Sequence, residues 1–259
     1  MLPTFEPLLG PLRQRELLNY IRGYGTGSVT EMSRLLGVSA STIRRDLNEL
    51  QERGFIERIH GGAAHLTDDF EPVRPLRDIS LAEEKRRIGQ AAAAHVAEHS
   101  TVLILGGTTT EAMLPFLGGM PGLTVLTNSL AVVNRLSQYS HIAIVVLGGL
   151  LRREEMTLLG HLTIAGLDEF GIDQVFSGAF GIDPDLGVMG TNLSETQTNR
   201  SLVSSARELV MLADHSKFAQ RGPARLVPTS AITMLLTDDA ANPEILDRFR
   251  AAGVTVETC

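Results

Sequence analysis

Residues 39–55, SASTIRRDLNELQERGF, place the strictest limit on how this chain can fold. Their apolar side chains recur at helical spacing and predict one buried helix face, made of Ile43, Leu47 and Leu50. Ser39 can cap the helix, because its hydroxyl can accept a hydrogen bond from an unpaired N–H of the first turn. Gly54 suits the left-handed residue that ends a helix, and Phe55 can fold back over the last turn.

The polar side of this helix suits a DNA groove. A helical wheel sets its polar residues opposite the apolar face, at Ser41, Arg45 and Asn48, or on the two flanks, at Thr42 and Arg44. Hydroxyls and guanidinium groups can contact phosphates, and Arg and Asn can contact base edges. We therefore interpret the stretch as a recognition helix, with Ser39 and these five residues as DNA contacts. The alternative is an ordinary amphipathic helix whose charged face is solvated.

Two shorter helices are predicted before it. Residues 13–24 form the first, with one apolar face made of Leu17, Leu18 and Ile21. Residues 28–36 form the second, with inward side chains at Val29, Met32, Leu35 and Leu36. Gly37 and Val38 make the tight turn into residue 39. Two short helices, a glycine-containing turn and a third helix with outward arginines are typical of a helix-turn-helix.

A two-stranded wing is predicted to follow. Residues 55–59 alternate between apolar and polar, and residues 60–63 form a turn. This places Arg58 and His60 near a phosphate backbone or a minor groove. For His60 a solvated turn residue is the alternative.

Charge separates a basic head from an acidic body. The chain has a formal net charge of −7, but residues 13–66 hold eight arginines and six acids, which gives +2 and leaves −9 for the remainder. Such a distribution suits a small DNA-binding module joined to a larger domain. All cations of the head are arginines, which favours bidentate contacts to phosphate and guanine.

Composition narrows the class of protein further. The single cysteine, Cys259, excludes an internal disulfide and a cysteine-based metal site. The first 14 residues lack the basic start and apolar run of a signal peptide, and no stretch of about 18 apolar residues predicts a membrane span. We expect a cytoplasmic protein with no cofactor and no metal.

The body alternates strand and helix. We divide the chain into a flexible N-terminus at 1–12, the head at 13–66, a proline-containing linker at 67–79 and the body at 80–259. Helices are predicted at residues 80–99, about 110–118 and about 129–138. Apolar blocks predict strands at 101–105, 123–126, 142–147, 175–179, 209–213, 231–236 and 255–256. Apolar strands between helices are typical of a mostly parallel sheet covered on both faces.

In such sheets ligands bind beyond the carboxyl ends of the strands, and five polar loops lie there. The loops are residues 106–111, 127–129, 148–149, 181–187 and 213–218. Glycines followed by a helix N-terminus let backbone N–H groups approach an anion, although the lysine of a nucleotide P-loop is missing. Hydroxyls, amides, carboxylates and one lysine around a single rim suit a small phosphorylated polyol. The candidates from these loops are Gly107, Thr108, Thr109, Thr110, Thr127, Asn128, Ser129, Gly149, Asp183 and Lys217. Taken singly, each loop is explained by turn chemistry.

These segments resemble the DeoR family of bacterial transcriptional regulators. Arg13, Leu17 and Ile21 stand at the family's spacing before the run STIRRDLNELQERGFIERIHGGA, which is close to its recognition helix and wing. In the body, GGTTTEAMLPFL, LTVLTNSLAVVNRL, VVLGGLLR, LGHLTIAGLDEFGIDQVFSGAFGID and ARELVMLADHSKF follow the family order.

The resemblance implies a winged helix-turn-helix joined to a Rossmann-like α/β sensor domain akin to ribose-5-phosphate isomerase. It implies a repressor of a sugar operon that binds double-stranded operator DNA. We also expect a homo-oligomer with two heads, because isolated winged helices bind half-sites weakly. It places a phosphosugar effector near Thr108, Thr109, Asn128, Asp183, Arg200 and Lys217. Leu105 and Asn199 depart from the family, which often has Asp and Lys there, so the effector is less defined than the fold.

Two other functions fit the same residues. One is a phosphosugar isomerase with a DNA-binding appendage, in which Asp183, Glu195 and Lys217 act as acid–base groups, since proton transfer beside a carbonyl needs a carboxylate and a cation. The other is a module that binds DNA constitutively and senses no ligand.

Overall fold

The protein forms two compact units, residues 1–76 and residues 77–259. The computed structural model describes residues 10–24, 26–53, 55–59, 61–65, 74, 77 and 80–259. Of the predicted linker only Arg74 and Arg77 lie among these residues, so its boundaries stay a prediction.

The elements described in the first unit are three helices and three short strands. In chain order they are α1 (Gly10–Tyr24), β1 (Thr26–Ser28), α2 (Val29–Leu36), α3 (Ala40–Glu52), β2 (Ile56–Ile59) and β3 (Gly62–His65). The predicted helix-turn-helix is confirmed, with α3 as its third helix. Its core is a single apolar cluster to which all three helices and the sheet contribute side chains: Leu17, Ile21, Val29, Met32, Ile43, Leu47, Leu50, Ile56 and Ala63.

Caps and a left-handed turn fix the two helices of the motif. The Ser28 hydroxyl accepts from the Glu31 N–H, and the Glu31 carboxylate accepts from the Ser28 N–H, which forms a complete capping box. Gly37 ends α2 with a φ of 64°, a conformation that favours glycine. Ser39 then caps α3 by accepting from the Thr42 N–H at 3.2 Å. Gly54, predicted to end α3, lies outside the described residues.

One predicted core residue of the head is wrong. Leu35 is 61% exposed, whereas Val29 and Met32 are buried. At about 100° per residue, Val29, Met32 and Leu36 share one stripe of α2 and Leu35 falls roughly a quarter turn away from it. The apolar character of Leu35 therefore did not indicate its direction.

The predicted two-stranded wing has a third strand. The sheet order is β1–β3–β2, with β3 antiparallel to both neighbours. A Cβ at Gly62 would lie 2.1 Å from the Gly27 carbonyl oxygen, so this position needs glycine. The segment before α2, for which no strand was predicted, pairs with the wing as β1.

A buried ion pair joins α1 to α3. Arg13 Nε donates to Asp46 Oδ2 at 2.5 Å and Nη2 donates to Oδ1 at 3.0 Å, with the residues 8% and 2% exposed. The hydrogen bond to Asp46 raises the pKa of the Arg13 guanidinium. Asp46 thus has a structural task and does not face outward.

The second unit is built on a parallel sheet of seven strands. Its elements in chain order are α4 (Ala82–Ala94), β4 (Thr101–Ile104), α5 (Thr108–Glu111), β5 (Thr124–Thr127), α6 (Leu130–Leu136), β6 (Ala143–Val146), β7 (Leu150–Arg152), β8 (Thr157–Leu159), α7 (His161–Ile164), β9 (Ile172–Gly178), β10 (Gly181–Asp183), β11 (Gly187–Gly190), α8 (Leu193–Val203), β12 (Ala206–Leu212), β13 (Ala224–Val227), β14 (Met234–Thr237), α9 (Pro243–Ala251) and β15 (Thr255–Thr258). The large sheet has the order β15–β14–β12–β9–β4–β5–β6. The predicted parallel α/β fold is confirmed.

Both faces of this sheet are buried. Alternate residues of one strand enter different apolar clusters: Leu103 belongs to one, and Val102 and Ile104 belong to the other. The same alternation separates Met211 from Val210 on β12. Side chains of successive strand residues point to opposite faces, so the two clusters lie on the two sides of the sheet.

Smaller sheets stand beside the large one. Strands β10, β11 and β13 form an antiparallel sheet, and β7 pairs with β8. We call residues 150–159, with their turn at 153–156, the hairpin. None of these strands was predicted, because they are short and do not stand out as the continuous apolar blocks by which the strands of the large sheet were recognised.

Several predicted boundaries are wrong. The helix predicted at 110–118 is a short α5 followed by a 3-10 turn at Leu114–Leu117, whose second residue is proline. The helix predicted at 80–99 covers Ala82–Ala94 and stops before the chain turns into β4. The strand predicted from 231 begins at Met234, because Thr229–Ala231 form a 3-10 turn. None of the described helices has the length and apolar character needed to cross a membrane.

Candidate nucleic-acid interface and small-molecule site

The outward face of α3 carries the predicted DNA contacts. Ser39, Ser41, Arg44, Arg45 and Asn48 are exposed, and Thr42 is half-buried. The opposite face, at Ile43, Leu47 and Leu50, is completely buried. This is the arrangement expected of a helix that packs by one side and offers the other to a groove.

Three hydroxyls gather at the start of α3. Ser39 Oγ lies 2.8 Å from Ser41 Oγ and 2.9 Å from Thr42 Oγ1. The N-terminus of a helix has unpaired N–H groups and favours negative charge, so the cluster suits a phosphate. Arg44 and Arg45 follow within one turn, and neither forms an ion pair with any residue that the structure describes.

The wing supplies one more described cation. Arg58 lies on β2, half-buried, and its Nη1 is buried with no hydrogen-bond partner among the described residues. A buried, unpaired guanidinium nitrogen is costly, and a phosphate oxygen would satisfy it. The other predicted wing contact, His60, lies outside the described residues.

In the second unit, direct contacts join three of the five predicted loops. A Cβ at Gly106 would lie 2.8 Å from Thr157 Cγ2 and 3.1 Å from Ser129 Cβ, so the loop after β4 rests on the hairpin and on the loop after β5. Gly149 has a φ of 146°, and a Cβ there would lie 2.6 Å from the carbonyl oxygen of Leu159, so the loop after β6 rests on the hairpin as well. We call residues 106–110, 127–129 and 148–149, together with the hairpin, the three-loop site.

The hairpin is bonded to the loop after β5 along its length. Leu158 N donates to the Asn128 carbonyl at 2.7 Å, and Asn128 Nδ2 donates to the Leu158 carbonyl at 3.1 Å. Leu130 N donates to the Met156 carbonyl at 2.9 Å. Asn128 is 1% exposed, and its Oδ1 finds no partner among the described residues. That oxygen is an acceptor available for a ligand hydroxyl.

Several predicted site hydroxyls hold the loops together instead of facing outward. Thr110 Oγ1 donates to the carbonyls of Leu105 and Gly107, at 2.7 and 2.9 Å. Thr127 Oγ1 donates to the Ile104 carbonyl at 2.7 Å, and Ser129 caps α6.

Two other hydroxyls of the three-loop site remain open to a ligand. Thr108 is half-buried and Thr109 is buried, and neither side chain makes a hydrogen bond within the described residues. Together with the N–H groups after Gly107, they are donors of a kind that suits an anion.

Asp183 and Lys217 belong to a neighbouring group. Asp183 Oδ1 accepts from the N–H groups of Asp185 and Leu186 at 2.8 and 3.0 Å, and Arg221 Nη2 lies 3.7 Å from its Oδ2. Although partial burial alone would raise it, these N–H donors and the arginine lower the pKa of Asp183. Lys217 lies on a 3-10 turn that packs against β10, the strand of Asp183.

The Arg200 side chain is held by backbone hydrogen bonds. Its Nε donates to the Leu226 carbonyl at 3.1 Å and its Nη2 donates to the Arg225 carbonyl, both on β13. It therefore ties α8 to β13, and no described contact joins it to the three-loop site.

Sequence reasoning missed two residues of the three-loop site, Arg152 and Thr157. Arg152 Nη1 donates to Glu195 Oε2, and Thr157 Oγ1 lies 3.5 Å from Glu195 Oε1. Both residues lie on the hairpin, whose strands were not predicted. Glu195, considered above only as an acid–base group of an enzyme, stands in an ion pair. Within the described residues, no group of three or more His, Cys, Asp or Glu could hold a metal.

Two family models match the chain. The model described as "DeoR-like helix-turn-helix domain" covers residues 13–68, and the one described as "DeoR C terminal sensor domain" covers residues 80–239. The regulator IolR of Bacillus subtilis is 30% identical over 90% of this chain and 93% of its own length. The glycerol-3-phosphate regulon repressor of Escherichia coli is 30% identical over 95% and 98%.

Among solved structures, ribose 5-phosphate isomerase A of Neisseria gonorrhoeae aligns with a TM-score of 0.41. The alignment has 21% identity and covers 56% of this chain and 55% of the isomerase.

Proposed function

Because the chain belongs to the DeoR family of transcriptional regulators, we propose that it represses an operon of carbohydrate metabolism under the control of a phosphorylated sugar. A helix-turn-helix and a sensor domain occur in this one chain. The observation that carries the finer proposal is the three-loop site, where two open threonine hydroxyls, a helix N-terminus and a buried amide oxygen meet.

The head supports operator binding with sequence preference. Phosphates would be held by the hydroxyls at the start of α3 and by Arg58, which fix the register of the head on the duplex. Arg44, Arg45 and Asn48 would contact base edges, since Arg favours guanine and Asn favours adenine in the major groove.

The three-loop site supports a small, polyhydroxylated anion as effector. Thr108, Thr109 and the N–H groups after Gly107 supply donors for phosphate, and Asn128 Oδ1 supplies an acceptor for a hydroxyl. A relative with near-complete coverage is named a glycerol-3-phosphate regulon repressor, which favours the same chemical class for this chain.

We propose no enzymatic activity. An isomerase would need Asp183, Glu195 and Lys217 to act on one substrate, but Glu195 is ion-paired in the three-loop site and Asp183 organises a turn in the neighbouring group. The lowered pKa of Asp183 also makes it a weaker base. Detectable turnover of ribose 5-phosphate would contradict this part of the proposal.

We further propose a homo-oligomer that acts in the cytoplasm, where chromosomal DNA lies in bacteria. A single helix-turn-helix contacts one half-site, and dimers of such heads bind two half-sites about one helical turn of DNA, or a multiple of it, apart.

The test is selection of genomic DNA fragments by the full-length protein, followed by titration of the selected DNA with candidate effectors. We expect a selected fragment to bind about 10³-fold or more tightly than unrelated DNA. A phosphorylated sugar is expected to weaken that binding, and its unphosphorylated parent is not. Equal affinity for all fragments would contradict the operator, and binding unaffected by every phosphorylated sugar would contradict the sensor.

A further inference from the structure

The ion pair between Arg152 and Glu195 stands against the candidate effector loop. Arg152, on β7, and Glu195, on α8, have side chains 19% and 20% exposed. Glu195 Oε1 lies 3.5 Å from Thr157 Oγ1, and the methyl group of Thr157 touches the backbone of Gly106. One side chain therefore separates this pair from the loop that carries Thr108 and Thr109.

The other N–H donors of Arg152 have no acceptor among the described residues. A guanidinium group has five N–H donors, and Arg152 uses one nitrogen, Nη1, for Glu195. Within the described residues its Nε and Nη2 make no hydrogen bond, and neither is a buried atom left without a partner. The edge of the guanidinium best suited to a bidentate anion contact thus faces space that water or a ligand can occupy.

The other cations predicted for the effector are placed differently. Arg200 is bonded to two carbonyls of β13, and Lys217 lies on the turn that packs against β10. Of the two arginines of the hairpin, Arg152 is the one paired with Glu195, which lies beside Thr157 and so next to the Gly106 loop.

We propose that Arg152 binds the anionic group of the effector and that Glu195 is its counterion when the site is empty. The inference rests on the proposed sensor function and extends it to a residue outside the predicted effector set. An entering phosphate or carboxylate accepts from Nε and Nη2 of Arg152, while Thr108 and Thr109 donate to its other oxygens. Glu195 stays close to the bound anion and repels it, so it weakens binding of an anion more than binding of a neutral polyol.

The counterion role gives opposite expectations for the two residues. Arg152→Gln removes the main attraction and should raise the ligand concentration needed for half-saturation by at least tenfold. Glu195→Gln removes a like charge and should lower that concentration by roughly three- to tenfold, because a partly exposed charge pair couples only modestly. A purely structural ion pair would make both substitutions weaken binding through loosening of the hairpin.

The experiment is a thermal-shift titration of the full-length protein with matched probes. These are glycerol 3-phosphate and glycerol, ribose 5-phosphate and ribose, glucose 6-phosphate and glucose, and inorganic phosphate. The control variants are Arg153→Gln and Glu154→Gln, which change exposed neighbours of the same hairpin. Arg152→Lys keeps the charge and serves if Arg152→Gln does not fold.

We expect one phosphorylated probe to stabilise the wild type, Glu195→Gln to respond at lower concentration, and Arg152→Gln to respond weakly or not at all. Arg152→Lys should need a ligand concentration between those of Arg152→Gln and the wild type. Both control variants should respond at the same concentration as the wild type. A wild-type response that both substitutions leave unchanged, or that both weaken equally, overturns this inference and leaves the proposed function standing. No response of the wild type to any phosphorylated probe, or an equal response to the parents, overturns the effector class itself and this inference with it.

Discussion

Arg44 and Arg45 are the residues on which DNA binding should depend most directly. Both are exposed on α3, Arg45 opposite its buried stripe and Arg44 on the flank of that stripe. We expect alanine at either position to cost about 1–3 kcal/mol of operator affinity. A variant that loses a phosphate contact should also reduce the slope of log affinity against log salt by about one, whereas loss of a base contact should relax sequence preference.

The measurement is fluorescence anisotropy with a selected operator fragment at several salt concentrations. Arg207→Ala, an exposed arginine on the sensor domain, is the matched control and should bind as the wild type does. Unchanged affinity in both Arg44→Ala and Arg45→Ala would show that another face of α3 meets the DNA.

Asp46 lies on the same helix but acts on stability. Its carboxylate is 2% exposed and makes two hydrogen bonds to Arg13 of α1. Asp46→Ala removes a carboxylate that holds the buried Arg13 guanidinium through two hydrogen bonds, so we expect it to destabilise the head by about 3–5 kcal/mol. Replacing both residues with apolar ones of similar size, Arg13→Met with Asp46→Leu, should recover most of this loss.

Hydrogen exchange of the α3 amides in the full-length protein measures the effect on the head itself. The double variant decides between two explanations of a destabilised Asp46→Ala. Protection restored in the double variant indicates that the cost came from the buried arginine deprived of the Asp46 carboxylate, and protection still lost indicates that the geometry of the pair is needed.

At the scale of elements, the sequence predicted the helices and strands that have a clear hydrophobic pattern. Helix α3 spans 13 residues, enough for three buried positions and one polar face. The strands of the parallel sheet were recognised as short apolar blocks. Both faces of that sheet are buried, so its strands are apolar throughout. The hairpin was not found, because three-residue strands carry no periodic signal.

For the candidate site, the sequence predicted which loops take part but not which of their side chains face a ligand. Loops at strand ends were identified by the parallel-sheet rule, which needs only the strands. Which side chains face a ligand was not, because Thr110 and Thr127 bond to carbonyls of their own loops and Arg200 bonds to a distant strand. Arg152 was missed because its position depends on a hairpin that only tertiary contacts define.

Hydrogen bonds join the hairpin both to the loop after β5 and to Arg77, the first residue of the second compact unit. Its β8 strand is bonded to Asn128, and Glu155 in its turn accepts two hydrogen bonds from Arg77, at 2.5 and 2.6 Å. The carbonyl of Arg77 is held in turn by Lys85, which is 5% exposed. A ligand that moves the hairpin would therefore act on the residue where the second compact unit begins.

We expect Glu155→Gln to separate effector binding from DNA release. The neutral side chain holds Arg77 less tightly, so the phosphorylated sugar should still bind but should weaken operator affinity less than in the wild type. Couplings of this kind typically amount to about 5–150-fold. Operator affinity with and without the sugar measures the coupling, and Glu154→Gln, an exposed neighbour, is the control. DNA release equal to that of the wild type would exclude this path.

At the scale of the whole molecule, charge is divided as the function requires. The head has a net charge of +2 and the remainder −9, so the head is attracted to DNA and the rest of the chain is repelled. This division disfavours binding through the sensor domain, and it makes affinity depend on how many heads engage at once.

Three exposed leucines of the sensor domain indicate how two heads could be joined. Leu150, Leu162 and Leu193 are 79%, 62% and 71% exposed, and they lie on β7, α7 and α8. These elements are neighbours, since β7 pairs with β8 and α8 packs against both β8 and α7. Large apolar side chains grouped on neighbouring surface elements are typical of a surface that another protein covers, and a second copy can offer the same leucines in return.

We therefore expect Leu162→Asp with Leu193→Asp to convert the oligomer to a monomer, because each copy would bring charges into the interface. The apparent operator affinity should fall by at least tenfold, because the two heads no longer bind as one molecule. The salt slope per bound head should stay constant, since the contacts of α3 are untouched. Sedimentation at micromolar concentration measures the oligomeric state, and Leu35→Asp, an exposed leucine of the head, is the control. A wild type that sediments as a monomer contradicts the homo-oligomer, whereas a variant that remains oligomeric assigns the interface to another surface.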